Sequence, residues 1–158
     1  MGRLFTLKSA DGSDDTWVNM GLLQALLAED NPADVMLVRE AIELHGLPIE
    51  LKVIDDGQHA YEYLEHVDAA AGPGPALLIL DLNLPRRDGQ QLLRRARQSV
   101  KYGGIPIVII TSSDSPRDRA ETERLGASRY FRKPTTFDEF MKLGEVLREL
   151  LGPRLQEA

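Results

Sequence analysis

Residues 76–84 read ALLILDLNL, an apolar run that stops abruptly at Asp81. The run begins just after the turn sequence GPGP of residues 72–75, and it has the length of a strand rather than of a helix. A similar run, IPIVII, occupies residues 105–110. Unbroken apolar runs rich in Leu, Ile and Val are typical of strands that are buried on both faces of a parallel sheet. We therefore predict two central strands, at Ala76–Leu80 and Ile105–Ile110.

Weaker versions of this pattern lie on both sides of the two central strands. Three further strands are predicted, at Gln24–Ala28, Glu50–Ile54 and Arg129–Arg132. Segments with a helical period separate the five strands, and Gly46 and Gly126 supply stops for two of these segments. The predicted helices are Pro32–His45, Gly57–Asp68, Gln90–Val100, Pro116–Leu125 and Phe137–Leu151. Five alternating units predict an α/β fold with a doubly wound parallel sheet, whose ligands bind beyond the carboxyl ends of the strands.

The composition is that of one globular domain. The chain has 158 residues, of which 42% are hydrophobic and 28% are charged, and these proportions are ordinary for a folded domain of this length. We predict a domain over residues 21–152. Residues 1–20 are expected to form a flexible N-terminal extension, and residues 153–158 a short tail.

Charge and composition argue against several classes of protein. The net charge of −6 argues against general binding to nucleic acid or anionic lipid. The apolar runs are far shorter than a membrane span, and residues 1–20 lack the basic start and apolar centre of a secretory signal. The absence of cysteine removes disulfides and thiolate chemistry. We expect a cytoplasmic protein that binds neither nucleic acid nor membrane.

Polar residues follow four of the predicted strands at the point where each strand ends. Glu29 and Asp30 follow the first strand, Asp81 the third, Thr111 the fourth and Lys133 the fifth. The carboxyl ends of parallel strands meet at one edge of a sheet. Three carboxylates, a hydroxyl and an ammonium group are therefore expected to share one shallow cleft.

This set of side chains suits phosphoryl transfer. Crowded carboxylates repel one another unless positive charge is supplied, and a divalent cation together with Lys133 would supply it. Carboxylate oxygens are the ligands that Mg²⁺ prefers, whereas the chain has no Cys and its His residues lie away from these strand ends, which disfavours zinc and copper. Phosphoryl transfer needs an oxygen nucleophile, a metal and donors for the remaining charge. We assign the nucleophile to Asp81 because it follows a central strand, and metal binding to Glu29 and Asp30.

Residues 24–151 resemble the response-regulator receiver domain of two-component signalling. Four motifs carry the resemblance, in this order along the chain: LLAEDNPAD, LLILDLNLPRRDG, IPIVIITSSD and YFRKP. The wording of EDNPAD and LNLPRRDG is most similar to single-domain regulators that partner phytochrome-type histidine kinases. The resemblance implies a flavodoxin-like fold, with five parallel strands in the order 2-1-3-4-5 and five helices.

The resemblance implies a role for each matching acidic residue. Asp81 matches the phosphoacceptor of the family. Asp30 and the backbone carbonyl of Asn83 match its metal ligands, and Glu29 matches the acid that binds through a metal-bound water. The implied metal set is therefore Glu29, Asp30, Asp81 and Asn83, and the implied ion is Mg²⁺ or Mn²⁺.

The remaining matches concern the response to phosphorylation. Thr111 matches the hydroxyl that turns towards the phosphoryl group, and Lys133 matches the lysine that pairs with it. Tyr130 matches the aromatic residue that changes rotamer together with the threonine. The resemblance also implies a cis bond between Lys133 and Pro134. Ser113 is short and neutral at a position that flanks the path of a hydrolytic water, which leaves the phosphoryl lifetime open.

The resemblance implies a signalling protein rather than an enzyme. Such a protein accepts a phosphoryl group from a sensor histidine kinase, here of the phytochrome type, and its own chemistry is limited to metal-dependent self-phosphorylation and slow self-dephosphorylation. It relays the signal through phosphorylation-dependent protein–protein interaction. It is also expected to form a homodimer through the face made by the fourth helix, the fifth strand and the fifth helix.

Three other functions are weighed against the pattern. A metal-dependent phosphohydrolase commonly has a second Asp two residues after its nucleophile, but this chain has Asn83 there, which cannot transfer protons at neutral pH. A receiver domain that only binds proteins would have lost Asp81, Lys133 or the acidic pair, and none is lost. A nucleotide-binding domain of this fold would carry a G-x-G-x-x-G turn or a P-loop, and neither is present.

Several other residues have a structural interpretation. Asp34 lies in the first turn of a predicted helix, where negative charge favours the helix dipole. The last helix carries more apolar residues than one core face needs, which predicts an exposed apolar patch. A basic cluster at the third helix is expected to be a solvated face; it comprises Arg86, Arg87, Arg94, Arg95 and Arg97. Three histidines are expected at the surface: His45, His59 and His66.

Overall fold

The structure of the chain is a computed structural model that describes residues 3–8 and 15–157. An antiparallel pair of strands comes first, β1 (Arg3–Lys8) and β2 (Asp15–Met20). The next five strands form a parallel sheet: β3 (Leu23–Ala28), β4 (Ile49–Ile54), β5 (Leu77–Leu80), β6 (Ile107–Thr111) and β7 (Arg129–Arg132). Seven helices are described: α1 (Pro32–Leu44), α2 (Gly57–Ala69), α3 (Gly89–Arg97), α4 (Pro116–Arg124), α5 (Phe137–Met141), α6 (Leu143–Leu151) and α7 (Arg154–Glu157).

The parallel sheet has the strand order β4-β3-β5-β6-β7. Counted within this sheet alone, that order is 2-1-3-4-5, so the predicted flavodoxin-like topology is confirmed. All residues of β5 and β6 are buried, as expected for strands with helices on both faces. The order changes direction between β3 and β5, and the switch point therefore lies where these two strands end side by side.

Side chains of β3 alternate between two hydrophobic cores on opposite faces of the sheet, as the pleat of a strand requires. Ala25 and Leu27 belong to the core that includes residues of α1, α5 and α6. Leu26 and Ala28 belong to the core that includes residues of α2 and α3. Helices thus cover both faces, and the carboxyl edge of the sheet remains as the place for a site.

The predicted strand Ile105–Ile110 begins two residues late. Pro106 has no N–H group to donate to a sheet, although its carbonyl accepts a hydrogen bond from the Leu78 N–H (3.1 Å). The first sheet residue is Ile107, whose N–H donates to Ser128 Oγ over 3.0 Å. The shift leaves the carboxyl end of the strand at Thr111, where the site needs it.

The single helix predicted over Phe137–Leu151 is two helices, α5 and α6, which meet at Lys142. Its surplus of apolar residues is explained by burial, so the predicted exposed patch is wrong. Phe140 packs edge to face on Phe131 at 5.8 Å between ring centroids, and Leu143 and Leu147 are also buried. Among the large apolar side chains of α5 and α6, Phe137 is the exposed one.

Two predictions of solvated side chains are also wrong. The Arg97 guanidinium donates to the carbonyls of Ile105 (2.5 Å) and Gly126 (2.9 Å), so it joins the ends of α3 and α4 instead of facing solvent. The His45 ring is half-buried, and its Nε2 lies 3.0 Å from the Met141 carbonyl. In both cases a long or planar side chain reaches main-chain carbonyls next to the ends of other helices or strands.

The ends of the chain leave some predictions open. Residues 9–14 lie outside the described part, so a flexible extension over residues 1–20 stays a prediction. The predicted tail contains α7, and the boundaries of the domain also stay predictions. No helix of the described residues has the length and apolar character needed to cross a membrane.

Candidate functional site

The carboxyl ends of the parallel strands converge, and backbone hydrogen bonds fix their relative positions. Ala28 and Leu80 are partners in the register of β3 and β5, so the residues that follow them, Glu29 and Asp81, emerge side by side. The Asp81 N–H donates to the Ala28 carbonyl at 3.0 Å, and the Lys133 N–H donates to the Thr111 carbonyl at 2.7 Å. Sheet pairing therefore continues one residue past the strand ends and holds the site residues in place.

Three carboxylates gather at this edge. One oxygen from each of Glu29, Asp30 and Asp81 lies within 4.8 Å of the others. Glu29 is fully buried, Asp81 is 4% exposed and Asp30 is exposed, so the group opens to solvent on one side. The buried Glu29 Oε1 has no hydrogen-bond partner among the described residues. An oxygen-rich group of three carboxylates that opens to solvent on one side suits a hard divalent cation such as Mg²⁺ or Mn²⁺.

Lys133 supplies the positive charge of the site. Its Nζ donates to Asp81 Oδ2 at 2.9 Å and to Asp34 Oδ2 at 2.8 Å. Glu29 Oε1 lies 2.6 Å away, close enough for an ion pair, although the angle is not that of a hydrogen bond. Burial lowers the pKa of the Lys133 amine, but the contacts with Asp34, Glu29 and Asp81 outweigh burial and raise it. Lys133 is therefore charged throughout the physiological pH range.

Glu29 has a strongly altered acidity. Burial raises the pKa of its carboxyl from the ordinary 4.5 to about 7; the nearby Lys133 lowers it, and the neighbouring Asp81 raises it. One ammonium group cannot compensate all the negative charge around it, so the buried Glu29 carboxyl is partly protonated near neutral pH. A cation bound between the carboxylates would remove the need for that proton.

We expect Mg²⁺ binding to release a proton from Glu29. With a pKa of about 7, the stability that protonated Glu29 gives the metal-free protein is fully present below its ordinary pKa of 4.5 and is lost as the pH rises through 7. Isothermal titration calorimetry with Mg²⁺ at about pH 6 should give heats that depend on the ionisation enthalpy of the buffer, and at about pH 8.5 they should not.

The matched control for this titration is Glu29→Gln, which removes the titrating carboxyl and keeps the side-chain shape. Its Mg²⁺ heats should be independent of the buffer at both pH values. A buffer-independent heat for the unmodified protein at about pH 6 would contradict a proton on Glu29.

Thr111 is fully buried at the end of β6, and its side chain faces its own loop. Thr111 Oγ1 accepts a hydrogen bond from the Ser113 N–H at 3.2 Å. Ser113 Oγ donates to Asp118 Oδ2 at 2.6 Å and accepts from the Ser115 N–H at 3.2 Å. The β6–α4 loop is therefore folded onto the first turn of α4, and the Ser113 hydroxyl is engaged there.

Tyr130 lies on β7 beside that same loop. Its hydroxyl donates to the Ser113 carbonyl at 2.9 Å, and its half-buried ring packs against one of the two cores. The Arg119 guanidinium stacks over the ring at 4.3 Å from the ring centroid. Tyr130 thus connects β7, α4 and the loop that follows Thr111.

The segment that follows Asp81 is held closely against the sheet. The Asn83 N–H donates to Asp81 Oδ1 at 3.2 Å, and Asn83 itself is exposed. The Gly89 N–H donates to the Leu82 carbonyl at 3.1 Å. A Cβ atom at Gly89 would lie 2.2 Å from the Asp81 carbonyl oxygen, so only glycine allows α3 to begin this close to the site.

Asp34 is the site residue that the sequence interpretation missed. It was assigned to the helix dipole, but its carboxylate also pairs with Lys133. The sequence predicted a helix that begins at Pro32, and α1 does begin there, at the carboxyl edge of the sheet. An acid in the first turn of such a helix therefore points at the same cleft as the strand-end residues.

The implied cis bond between Lys133 and Pro134 is not found, because the described residues contain no cis peptide bond. The trans form is the lower in energy for most X-Pro bonds.

A parallel sheet in this order, with acidic residues and a lysine gathered at its carboxyl edge, is the architecture of a receiver domain. The response regulator receiver domain family matches residues 25–144, so the chain belongs to that family. Receiver domains are phosphoacceptor signalling proteins rather than conventional enzymes, and they bind Mg²⁺ or Mn²⁺ in an acidic pocket.

Individual relatives agree with this family. Response regulator Rcp1 of Synechocystis sp. is 32% identical over 119 residues, which is 75% of this chain and 81% of Rcp1. The transcriptional regulatory protein TrcR of Mycobacterium tuberculosis is 35% identical over 149 residues, or 94% of this chain, and the chain spans about half (51%) of its length.

Solved structures give the same result. The phosphorylated cyanobacterial phytochrome response regulator RcpA superposes with a TM-score of 0.73 and 28% identity, over 83% of this chain and 95% of RcpA. The Mn²⁺-bound form of Rcp1 superposes with a TM-score of 0.71 and 30% identity, over 80% of this chain and 92% of Rcp1.

Proposed function

We propose that Asp81 is the phosphoacceptor of this receiver domain, and that it works with a Mg²⁺ or Mn²⁺ ion bound by Glu29, Asp30, Asp81 and the Asn83 carbonyl. One observation carries the proposal. The Asp81 carboxylate is nearly buried, lies within 4.8 Å of two further carboxylates and hydrogen-bonds directly to Lys133. An isolated acid at a strand end has none of these neighbours.

The transfer is a displacement at phosphorus. An Asp81 oxygen forms the new P–O bond, the bond from phosphorus to the donor breaks, and the electron pair of that bond leaves with the donor. A divalent ion held by the acidic residues of the site would supply positive charge to the phosphoryl group. Lys133 stays within reach of the product because its Nζ already contacts Asp81 Oδ2. The charge that builds up on the phosphoryl oxygens is thus met by a preorganised cation of the protein.

The phosphoryl group then offers new acceptors to Thr111. To donate its O–H to a phosphoryl oxygen, the Thr111 side chain has to turn, and Oγ1 then gives up the hydrogen bond that it accepts from the Ser113 N–H. Tyr130 is tied to the same residue, through the Ser113 carbonyl. We infer that the loop and Tyr130 shift together, so that phosphorylation changes the face formed by α4, β7 and the α5–α6 segment.

Labelling of Asp81 is the test. In the presence of Mg²⁺ and a small phosphodonor, the mass of the protein should rise by one phosphoryl group, and chelation with EDTA should prevent the rise. Asp81→Asn should show no rise. The matched control is Asp55→Asn, because Asp55 is an exposed acid that follows β4 at the same edge of the sheet, and this variant should be labelled like the unmodified protein.

Two results would count against the proposal. Equal labelling of Asp81→Asn would move the phosphoacceptor elsewhere. Steady release of phosphate from many monoesters would instead favour a phosphohydrolase, for which Asn83 offers no proton-transfer group.

We propose a phytochrome-type histidine kinase as the phosphodonor in the cell. The support is the similarity to RcpA, which is a phytochrome response regulator. A purified, autophosphorylated kinase of this type is expected to transfer its phosphoryl group to the unmodified protein and not to Asp81→Asn.

We also propose a homodimer through the face of α4, β7 and α5–α6. Sedimentation velocity with and without beryllofluoride tests it.

A further inference from the structure

Lys133 is saturated with acidic partners. An ammonium group has three N–H bonds, and three carboxylates surround this one: Asp34 at 2.8 Å, Asp81 at 2.9 Å and Glu29 at 2.6 Å. The Lys133 side chain is 9% exposed and that of Asp34 is 18% exposed, so these contacts are shielded from water. In such surroundings a charge-assisted contact has a larger effect than at an exposed surface.

Two of these three partners change during the proposed reaction. Asp81 loses its carboxylate charge when the P–O bond forms. Glu29 is one of the three acids whose oxygens lie within 4.8 Å of one another and suit a cation, and Asp34 is not a member of that group. Asp34 is therefore the partner of Lys133 that neither accepts the phosphoryl group nor binds the metal.

Asp34 is also held by a different part of the fold. It lies in the first turn of α1, where its N–H donates to the side chain of the capping residue Asn31 at 3.4 Å. The buried residues Val38 and Ala41 fix the same helix in the core. Lys133 follows β7, so the ion pair joins two elements that are 99 residues apart in the chain.

We propose that Asp34 is a positioning residue: it holds the Lys133 ammonium group in place while the phosphoryl group is transferred to Asp81. The inference rests on the proposed function. With Asp34 in place, one N–H of Lys133 is directed to α1, and the ammonium group is shared among Asp34, Asp81 and Glu29. Without it, Glu29 and Asp81 are left as the acidic partners of the ammonium group, which then pairs more strongly with both, competes with the cation and holds the nucleophile. Removal of the Asp34 charge therefore slows transfer.

The experiment measures the rate of phosphorylation by a small phosphodonor at saturating Mg²⁺. Asp34→Asn, which keeps the shape and removes the charge, is expected to be about tenfold slower than the unmodified protein, the size of one charge-assisted contact. Asp34→Glu restores the carboxylate and should stay within about threefold of the unmodified rate. A merely structural role of Asp34 would not be rescued by a longer side chain.

The matched control is Glu40→Gln, an exposed acid of the same helix, which lowers the negative charge equally and should leave the rate unchanged. An unmodified rate for Asp34→Asn, or an equal slowing in Asp34→Glu, would overturn the anchor. The Asp34 comparison is meaningful once the unmodified protein is labelled and Asp81→Asn is not. Equal labelling of Asp81→Asn and the unmodified protein would contradict the proposed function itself, rather than the role of Asp34.

Discussion

Lys133→Met is expected to lower the free energy of unfolding of the metal-free protein by about 3–5 kcal/mol at neutral pH, because it leaves buried carboxylates without their counter-ion. Lys133 contacts Glu29, Asp34 and Asp81 within 2.9 Å. Methionine has a similar length and no charge, so little packing is lost. The effect is electrostatic, and it should therefore be large only while the acids are ionised.

Two further conditions separate this electrostatic effect from a packing defect. Burial and Asp81 already raise the pKa of Glu29 to about 7, and Lys133 opposes that rise. In Lys133→Met the opposition is gone, so protonation at about pH 5 should relieve the repulsion and shrink the loss of stability. Saturating Mg²⁺ at neutral pH should shrink it as well, because the cation replaces part of the missing charge.

Urea unfolding of both proteins, in EDTA and in Mg²⁺, measures the difference. The matched control is Lys142→Met. Lys142 is 58% exposed and pairs with Glu139 at 3.1 Å, a surface ion pair whose removal is expected to cost less than about 1 kcal/mol. A loss of stability in Lys133→Met that stays the same at low pH and in Mg²⁺ would show that packing, not charge, is lost at this position.

The strand-end residues could be predicted from the sequence because a simple rule places them. Asp81 follows an apolar run, Lys133 follows the predicted strand Arg129–Arg132, and parallel strands end at a common edge. The rule needs only the strand ends, which shifted by at most one residue between prediction and structure. Contacts that depend only on the sheet topology could therefore be predicted from the sequence.

Contacts that depend on how helices and loops pack could not be predicted in this way. The pairing of Asp34 with Lys133 requires the position of the first turn of α1 relative to the segment after β7. The engagement of the Arg97 guanidinium with main-chain carbonyls requires the path of two loops. Charge patterns assign such residues to the surface, and only their three-dimensional neighbours correct this.

Gly89→Ala is expected to lower the free energy of unfolding by about 1–3 kcal/mol or more and to weaken Mg²⁺-dependent labelling of Asp81. An added Cβ would lie 2.2 Å from the Asp81 carbonyl oxygen and 2.9 Å from the Leu82 Cα. Both are backbone atoms, so no side-chain rotation relieves the clash. Either α3 moves away or the peptide after Asp81 turns, and the second movement would displace the carboxylate from Lys133.

Gly104→Ala is the matched control, because a Cβ there meets no atom within 4 Å. That variant should keep the stability and labelling rate of the unmodified protein, or gain a few tenths of a kcal/mol from the stiffer unfolded chain. Urea unfolding and labelling kinetics of both variants give the comparison. If Gly89→Ala were as stable and as quickly labelled as Gly104→Ala, the close approach of α3 to Asp81 would have no part in shaping the site. The glycine at the start of α3 would then be replaceable, and the position of the Asp81 carboxylate would rest on the sheet alone.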